Sequence, residues 1–171
     1  MLEKIKLIQG DITKLEVDAI VNAANDSLLG GGGVDGAIHN AAGQELFDEC
    51  KTLGGCETGQ AKITKGYKLP AKHVIHTVGP VYKDGKHNEP KLLASCYKTS
   101  LELAEKHGLR SIAFPCISTG VFGYPFEEAC KTALTAILSF LSQNSDINEV
   151  ILVCFGQGDY DSYVDIMRDF K

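Results

Sequence analysis

The chain has 171 residues, a formal net charge of −5 and a sequence pI of about 5.5, and 44% of its residues are hydrophobic. This balance is typical of one soluble globular domain, and we expect a single domain over residues 1–171. No basic block is present, which disfavours a nucleic acid as the main partner.

The N-terminal residues lack the apolar core of a signal peptide, and no apolar run reaches the length of a membrane span. We therefore expect a cytoplasmic protein with no membrane partner. We also expect a monomer. The six cysteines include no Cys-x-x-Cys pair, so zinc spacing is absent and a disulfide framework is not expected in the cytoplasm. Cys116 and Cys154 lie in apolar runs and are expected to be small core residues. A catalytic Cys–His pair stays open.

Short β-rich runs alternate along the chain with longer runs whose apolar residues have helical spacing. In chain order, the predicted elements are strands at 4–8 and 19–22, helices at 34–42 and 45–53, strands at 58–64 and 73–78, a helix at 90–107, a strand at 111–115, a helix at 126–141, a strand at 149–155 and a helix at 159–170. This alternation predicts an α/β fold, a three-layer α/β/α sandwich with a mixed, mostly parallel central sheet. The first strand is expected to be an antiparallel edge.

The segment 22–43 carries four consecutive glycines, residues 30–33, just before a predicted helix. Glycine lets a ligand approach the backbone closely, and a helix N-terminus offers free N–H groups and the positive end of a dipole. The segment therefore predicts a site for an anion such as a diphosphate, although a flexible loop stays an alternative. Gly31, Gly33 and Gly36 also match the dinucleotide fingerprint G-x-G-x-x-G, but the preceding strand ends too early for a Rossmann turn.

A second loop, residues 115–125, follows a predicted strand and has Ser118, Thr119 and Gly120 at its centre. Neither this loop nor the segment 22–43 contains Lys or Arg. A phosphate site without cations relies on backbone N–H groups and helix dipoles, which suits the diphosphate of a small molecule better than a polyanion. Both loops leave the carboxyl ends of strands, where open α/β sheets bind ligands.

Four polar side chains near these segments also have ordinary structural interpretations. Asp35 could stabilise the helix dipole, Asn25 could brace the glycine loop, and Asp11 could cap the turn after the first strand. His39 is expected to be a satisfied contact between helix and loop rather than a base. Composition and spacing leave these alternatives open.

Several motifs of the sequence resemble those of the macrodomain family, and in particular its MacroD-type branch, which includes O-acetyl-ADP-ribose deacetylases. The likeness covers nearly the whole chain. The matching motifs are Gly10-Asp11-Ile12-Thr13, Asn22-Ala23-Ala24-Asn25, residues 30–39, Ala41-Ala42-Gly43, His76-Thr77-Val78-Gly79-Pro80 and residues 117–125. Two departures are visible, because Asn40 stands where the branch often has Arg and Phe122 where Tyr is common.

The resemblance implies an ADP-ribose ligand and assigns a part to each group of residues. Asp11 would accept a hydrogen bond from the adenine amino group, and Phe155 would face the adenine. Asn25 would hold the distal ribose, and Asp35 would position or activate the attacking water. The two loops would cradle the diphosphate, and Phe122 would also shape the distal-ribose pocket. With Asn25 and Asp35 as catalytic residues, the implied substrate-binding set is Asp11, Ile12, Asn22, Gly31, Gly32, Gly33, Val34, Ser118, Thr119, Gly120, Val121, Phe122 and Phe155.

The resemblance further implies a hydrolase that deacetylates O-acetyl-ADP-ribose and removes mono-ADP-ribose from ester linkages on acidic side chains. Its partners would be ADP-ribose derivatives and ADP-ribosylated proteins. No metal and no cofactor are implied, because the Cys/His zinc cluster of another macrodomain branch is missing. The alternative is a non-catalytic ADP-ribose reader, which can keep the glycine loops while losing the Asn25–Asp35 pair. A nucleic-acid-associated protein is a weaker third alternative, disfavoured by the charge.

Overall fold

Residues 2–170 are the part of the chain that the computed structural model describes, and they form six strands and five α-helices. The strands are β1 Ile5–Gln9, β2 Ala19–Ala23, β3 Ala61–Lys65, β4 His73–Thr77, β5 Ser111–Phe114 and β6 Glu149–Cys154. The helices are α1 Gly33–Ala42, α2 Gln44–Thr52, α3 Glu89–Lys106, α4 Phe126–Leu141 and α5 Gln157–Asp169.

The six strands form one sheet in the order β1-β6-β5-β2-β4-β3, and every neighbouring pair is parallel except β3 with β4. The predicted mixed, mostly parallel sheet is confirmed. The prediction that the first strand is the antiparallel edge is wrong, because β1 runs parallel to β6 with Ile5 opposite Val150. The antiparallel strand is β3, at the other edge. Only a short turn joins β3 to β4, whereas parallel pairing needs a crossover of a dozen or more residues.

Helices cover both faces of the sheet, which confirms the three-layer arrangement. α1 and α2 pack on one face, with Ile38 fully buried, and α3, α4 and α5 pack on the other, with Leu101 fully buried. Adjacent residues of β2 point to opposite faces, so Ile20 packs on the side of α1 and α2, and Val21 packs on the side of α3, α4 and α5. Burial on both faces explains why a central parallel strand has a continuous apolar sequence.

Most predicted boundaries lie within a few residues of the observed ones, and α4 spans the predicted residues. The largest difference is at β3, which begins at Ala61 rather than residue 58 because a hydrogen bond from Gln60 N to Glu57 O closes a turn there. No described helix combines the length and the apolar character needed to cross a membrane.

Four parallel strands, β1, β6, β5 and β2, lie side by side, so their carboxyl ends form a row. Neighbouring strands lie about 4.8 Å apart, so the ends of β1 and β2 are separated by roughly 14 Å. Asp11 follows β1, Phe155 follows β6, the loop 115–125 follows β5, and the glycine segment follows β2. The fold therefore collects the candidate residues in a row.

Candidate ligand-binding and catalytic site

A cavity of about 730 Å³ lies at the carboxyl ends of these strands. Its lining includes every residue of the predicted set except Asn22: Asp11, Ile12, Asn25, Gly31, Gly32, Gly33, Val34, Asp35, Ser118, Thr119, Gly120, Val121, Phe122 and Phe155. Its size is that of a small-molecule pocket.

At the β1 end, Asp11 uses one carboxylate oxygen to cap the turn that follows. Asp11 Oδ1 accepts hydrogen bonds from Thr13 Oγ1 at 2.6 Å and from Thr13 N at 3.0 Å. These hydrogen bonds, the hydroxyl's first, lower the pKa of the Asp11 carboxyl, so it is ionised at neutral pH. The capping role is therefore observed, and it leaves Asp11 Oδ2 with no hydrogen-bond partner among the described residues.

Next to Asp11, Phe155 stands outside β6 with 84% of its surface exposed. Val121, in the loop after β5, is also fully exposed. Large apolar side chains of this kind at the rim of a cavity are typical of a ligand-binding surface. An aromatic ring beside an ionised carboxylate can stack on a flat heterocycle while the carboxylate accepts its N–H.

The glycine segment ends as the N-terminus of α1, which Gly32 caps without a side-chain hydrogen bond. The first backbone N–H groups of the helix are thus left for another acceptor. Gly36 is required for close packing, because a Cβ there would lie 2.6 Å from Gly31 O. The loop therefore lies tightly on the helix, in a shape suited to an anion.

Asn25 braces this loop, as one of the alternatives predicts. Its amide Nδ2 donates to Gly30 O at 2.6 Å, and its Oδ1 accepts from Ser27 Oγ at 2.6 Å. A Cβ built on Gly31 would lie 3.3 Å from Asn25 Nδ2 and 3.0 Å from Asp35 Oδ2. The two candidate catalytic side chains therefore converge on one point of the cavity wall.

Asp35 lies in the first turn of α1 and is 4% exposed. Its Oδ1 accepts a hydrogen bond from Asn22 Nδ2 at 2.8 Å. Asp35 Oδ2 has no hydrogen-bond partner among residues 2–170, and it lies on the side of Gly31 and the cavity. The carboxylate therefore has one anchored oxygen and one that can hold a water molecule.

Asn22, expected in the substrate-binding set, does not line the cavity. It is fully buried in β2, behind Asp35. Its Nδ2 also lies 3.1 Å from His76 Nδ1, and His76 Nε2 lies 3.0 Å from Thr64 Oγ1. Burial first, and the nearby His39 second, lower the pKa of His76 to about 3, so the ring is neutral. Asn22 thus contacts the site through Asp35.

His39 differs from its prediction as a satisfied contact. Its Nε2 lies 3.5 Å from Asp35 Oδ1, but neither ring nitrogen has a hydrogen-bond partner among the described residues. The ring packs edge-on against Phe47 instead. Within the described part of the chain, His39 therefore contacts the Asp35 carboxylate without making a hydrogen bond to it.

The loop after β5 is built around a residue with left-handed backbone geometry. Ser118 has φ of 68° and accepts a hydrogen bond from Tyr124 N at 2.9 Å, while Gly123 N donates to Gly120 O at 3.0 Å. A Cβ on Gly79 would collide with Ser118 Oγ and Ile117. The absence of a side chain at Gly79 therefore allows this loop to lie against the end of β4.

Cys116 only partly fits its predicted place in the core. Cys154 is buried, whereas Cys116 is partly exposed and lines the cavity. Their sulfur atoms lie 3.7 Å apart as free thiols. Cys116 lies just beyond β5, where the strand opens into the ligand loop, and this explains its exposure.

The segment 82–89 holds a carboxylate at its centre. Glu89 Oε2 accepts hydrogen bonds from the backbone N–H groups of Lys83, Asp84 and Gly85 at 2.9–3.1 Å, and Glu89 Oε1 accepts from His87 N at 2.6 Å. Asp84, His87 and Glu89 have ligand atoms within 4.8 Å of one another. Both Glu89 oxygens accept from the backbone, and Asp84 Oδ1 accepts from Lys86 N and pairs with His87 Nδ1 at 2.8 Å, so the cluster is explained as a loop clasp.

This clasp supports the loop 115–125, which follows β5. Tyr82 N donates to Phe122 O at 2.9 Å, and the rings of Tyr82 and Tyr124 lie 4.8 Å apart. Each of these contacts joins the segment before α3 to the segment before α4. The loop that carries Phe122 is therefore held from outside the cavity as well as from below.

Sequence reasoning missed several residues of the site. His76 belongs to a matching motif but received no role, and Thr64 was not singled out. Asp159, in the first turn of α5, lines the cavity beside Phe155. A polar residue in the first turn after the last strand is a usable signal for Asp159, whereas the contacts of His76 and Thr64 depend on strand pairing.

Comparison with known proteins gives a consistent result. Residues 21–133 match the family model described as Macro domain. The Macro domain-containing protein CT2219 of Chlorobaculum tepidum is 60% identical over 159 residues, which cover 93% of this chain and 92% of that protein. The ADP-ribose glycohydrolase MACROD1 of Rattus norvegicus is 62% identical over 153 residues, but these cover 89% of this chain and only 59% of that protein.

Solved structures agree in fold. The Trypanosoma brucei macrodomain in complex with ADP-ribose superposes with a TM-score of 0.92 at 48% identity, covering 97% of this chain and 70% of that one. A mutant of the Oceanobacillus iheyensis macrodomain with ADPR gives a TM-score of 0.91 at 46% identity, covering 96% and 91%. With the family model and the identities above, these findings establish that the chain belongs to the Macro domain family.

Proposed function

We propose that this protein binds ADP-ribose and hydrolyses acyl esters at its distal ribose. One observation carries the proposal. The candidate residues follow one another along the carboxyl ends of the strands in the same order as adenine, diphosphate and distal ribose follow one another in ADP-ribose. Asp11 and Phe155 suit an adenine, the two cation-free loops suit a diphosphate, and the Asn25–Asp35 pair lies beyond them. A span of roughly 14 Å between the outer strand ends suits an extended ligand of this kind.

In the proposed complex, the diphosphate lies between the N-terminus of α1 and the loop 115–125. Neither segment offers a cation, so backbone N–H groups and the helix dipole stabilise the charge. The substrate's phosphates thus fix its position, and the distal ribose is carried to Gly31, where Asn25 and Asp35 converge.

At the distal ribose, hydrolysis needs a water molecule placed against the ester carbonyl and a group that orients it or takes its proton. Asp35 Oδ2 is available for that water, while Asp35 Oδ1 is anchored by Asn22. Asn25 would hold the ribose beside it. The positive end of the α1 dipole stabilises negative charge beside Asp35, which suits a group that orients the attacking water.

The names of relatives support the reaction class. MACROD1 of Rattus norvegicus and MACROD2 of Xenopus laevis are called ADP-ribose glycohydrolases, and their matched regions are 62% and 57% identical to this chain. The chain spans 59% and 41% of their lengths, respectively. We propose O-acetyl-ADP-ribose and mono-ADP-ribose esters on acidic side chains of proteins as the substrates. A cytoplasmic location and a monomeric state stay predictions.

The test is to incubate the protein with O-acetyl-ADP-ribose and, separately, with a protein carrying mono-ADP-ribose on glutamate, and to measure released acetate and ADP-ribose. We expect release from both substrates, and unchanged release in EDTA because the proposed reaction uses no metal. Micromolar binding of ADP-ribose without release from either substrate would instead identify a reader. Loss of activity in EDTA with rescue by Zn²⁺ or Mg²⁺ would contradict the metal-free reaction.

A further inference from the structure

Behind Asp35, three polar side chains form a buried chain of hydrogen bonds that the proposed reaction does not yet use. Asn22 in β2, His76 in β4 and Thr64 in β3 come from three neighbouring strands, and all are at most 2% exposed. The sheet register pairs Asn22 directly with His76. Fully buried polar groups in a domain core need an explanation, because an apolar core there would avoid their desolvation.

The chemistry of the partners fixes the direction of each hydrogen bond. An ionised Asp35 can only accept, so Asn22 must present its amide nitrogen to Oδ1, at 2.8 Å. The same nitrogen lies 3.1 Å from His76 Nδ1, which must therefore accept. The ring proton is then on Nε2 and is donated to Thr64 Oγ1 at 3.0 Å. The Thr64 hydroxyl can donate onward to Lys65 O at 3.1 Å.

The other neutral form of His76 would break this arrangement. A proton on Nδ1 would face the amide hydrogens of Asn22, so two donors would meet. Rotating the Asn22 amide would relieve that contact but would turn its oxygen toward Asp35 Oδ1, so two acceptors would meet. Only the form protonated on Nε2 lets Asn22 donate to both neighbours.

The arrangement leaves one atom unsatisfied. Asn22 Oδ1 is buried and has no hydrogen-bond partner among the described residues. An unpaired buried acceptor destabilises the fold, and such groups are rare in native cores. Asn22 therefore gives up a hydrogen bond of its own so that both amide hydrogens point at chosen acceptors.

Burial keeps the ring in the required charge state. His76 is fully buried, and its pKa of about 3 leaves it uncharged throughout the physiological range. The titratable groups that face it are Asp35 and His39 from α1 and Cys50 from α2, whose sulfur lies 3.8 Å from Nε2. A thiol is a weak acceptor, so Thr64 is the stronger partner of the Nε2–H.

We propose that His76, protonated on Nε2, is a positioning residue that acts through Asn22 to anchor Asp35 Oδ1 and so aim Asp35 Oδ2 at the attacking water. The inference rests on the proposed function, in which Asp35 orients that water. It assigns His76 a part in turnover and none in ligand affinity, because the ring does not line the cavity. Thr64 selects the tautomer from the far side of the ring.

The test uses two amides at position 76. In His76→Asn the amide oxygen can occupy the place of Nδ1 and accept from Asn22, whereas in His76→Gln the amide reaches toward the place of Nε2 and leaves Asn22 without its acceptor. We expect His76→Gln to lower kcat for O-acetyl-ADP-ribose roughly 10- to 100-fold, as a misplaced catalytic group does. His76→Asn should stay within about 3-fold of the parent kcat, by the same geometric argument. The Kd for ADP-ribose should be unchanged in both.

Three outcomes separate this inference from the function on which it rests. Equal kcat in the two variants overturns the positioning role, and so does a loss in His76→Gln that appears in Kd rather than in kcat. If the parent protein binds ADP-ribose but releases neither acetate from O-acetyl-ADP-ribose nor ADP-ribose from a modified protein, the proposed function itself fails, and the inference fails with it. The parent assay is therefore run first.

A second route does not depend on either variant folding. The ¹⁵N chemical shifts of His76 in the parent protein should show a protonated Nε2 and a bare Nδ1, unchanged between pH 5 and 8. A proton on Nδ1 would overturn the inference. Thr64→Val should lower kcat and Thr64→Ser should preserve it, because only serine retains an acceptor for Nε2–H. Equal kcat in these two variants would count against the role of Thr64.

Discussion

Asp11 and Asp35 lie at opposite ends of the cavity and use their carboxylates in the same way, yet in different surroundings. In each, Oδ1 is anchored by the protein and Oδ2 has no hydrogen-bond partner among residues 2–170. Asp11 is exposed and is held by the adjacent Thr13, whereas Asp35 is buried and is held by Asn22 from another element. A solvent-exposed carboxylate held by a neighbour in sequence, as in Asp11, suits ligand recognition. A buried carboxylate held by a residue of another element, as in Asp35, suits chemistry that excludes bulk water.

The strongest test of this contrast is Asp35→Ala. We expect kcat to fall by at least ~10²-fold, the low end for acid–base assistance, while the Kd for ADP-ribose changes much less. Asp35→Asn should behave similarly, because it keeps the shape but loses the charge. Steady-state kinetics and calorimetric titration measure the two quantities. Near-parental turnover in Asp35→Ala would mean that this carboxylate only stabilises the helix dipole.

Asp11→Ala should show the opposite pattern. We expect ADP-ribose binding to weaken by roughly 1.5–3 kcal/mol, the range for a hydrogen bond to a charged group, with little change in kcat. An ADP-ribose analogue with hypoxanthine in place of adenine supplies the control, because it lacks the amino donor. The parent should prefer adenine and Asp11→Ala should not. A variant that keeps that preference would remove Asp11 from adenine recognition.

The buried side chains behind Asp35 also predict a pH dependence of stability, which comes from His76. His76 has a pKa of about 3 when folded and near 6.5 when unfolded, so the unfolded chain binds an additional proton between these values. The free energy of unfolding should therefore decrease as pH falls below 6.5, by up to ~1.4 kcal/mol per pH unit from this group. Above pH 6.5 this stability is fully present.

Urea unfolding of the parent and of His76→Asn between pH 4.5 and 8 measures this effect. The variant should lose the His76 part of the slope, because asparagine does not titrate. His107→Asn is the matched control, since it makes the same substitution at an exposed imidazole in place of a buried one. Superimposable pH dependence in the parent and His76→Asn would contradict a buried neutral ring.

Phe155→Ala should have the smallest effect of the four. The ring is exposed in the free protein, so its removal leaves no core cavity, and only stacking on the ligand is lost. We expect ADP-ribose to bind roughly 3- to 10-fold more weakly, the range for an aromatic pair, with kcat unchanged. Parental affinity would show that the aromatic ring does not contact the base.

The local parts of this site could be predicted from sequence, and the long-range parts could not. Asn25, Asp35 and the glycines lie in one segment, so their spacing and their resemblance to a family were enough to place them together. The hydrogen bond between Asn22 and His76 depends on which strand pairs with β2, and the alternation of elements does not specify that order. Because the sequence does not specify strand order, the antiparallel edge strand was also predicted at β1, whereas it is β3.

The predictions for single side chains failed where a residue had to be judged without its neighbours. Asn22 was expected to contact the ligand because its motif lies in the site. Its side chain instead points from β2 to Asp35 and His76 and does not line the cavity. His39 was expected to be satisfied, yet the face of α1 that carries it offers no acceptor with suitable geometry. Burial and hydrogen-bond geometry are properties of the packed structure rather than of the sequence pattern.

The clasp around Glu89 has a consequence for the thermodynamics of binding. Glu89 fixes the segment before α3, and Tyr82 N in turn donates to Phe122 O, so the loop 115–125 is held at Phe122 by contacts within the protein itself. Ordering a loop on association commonly costs about 0.5–1.5 kcal/mol for each immobilised side chain. Because the backbone at Phe122 is already held by Tyr82, less of this entropy remains to be lost when a ligand binds.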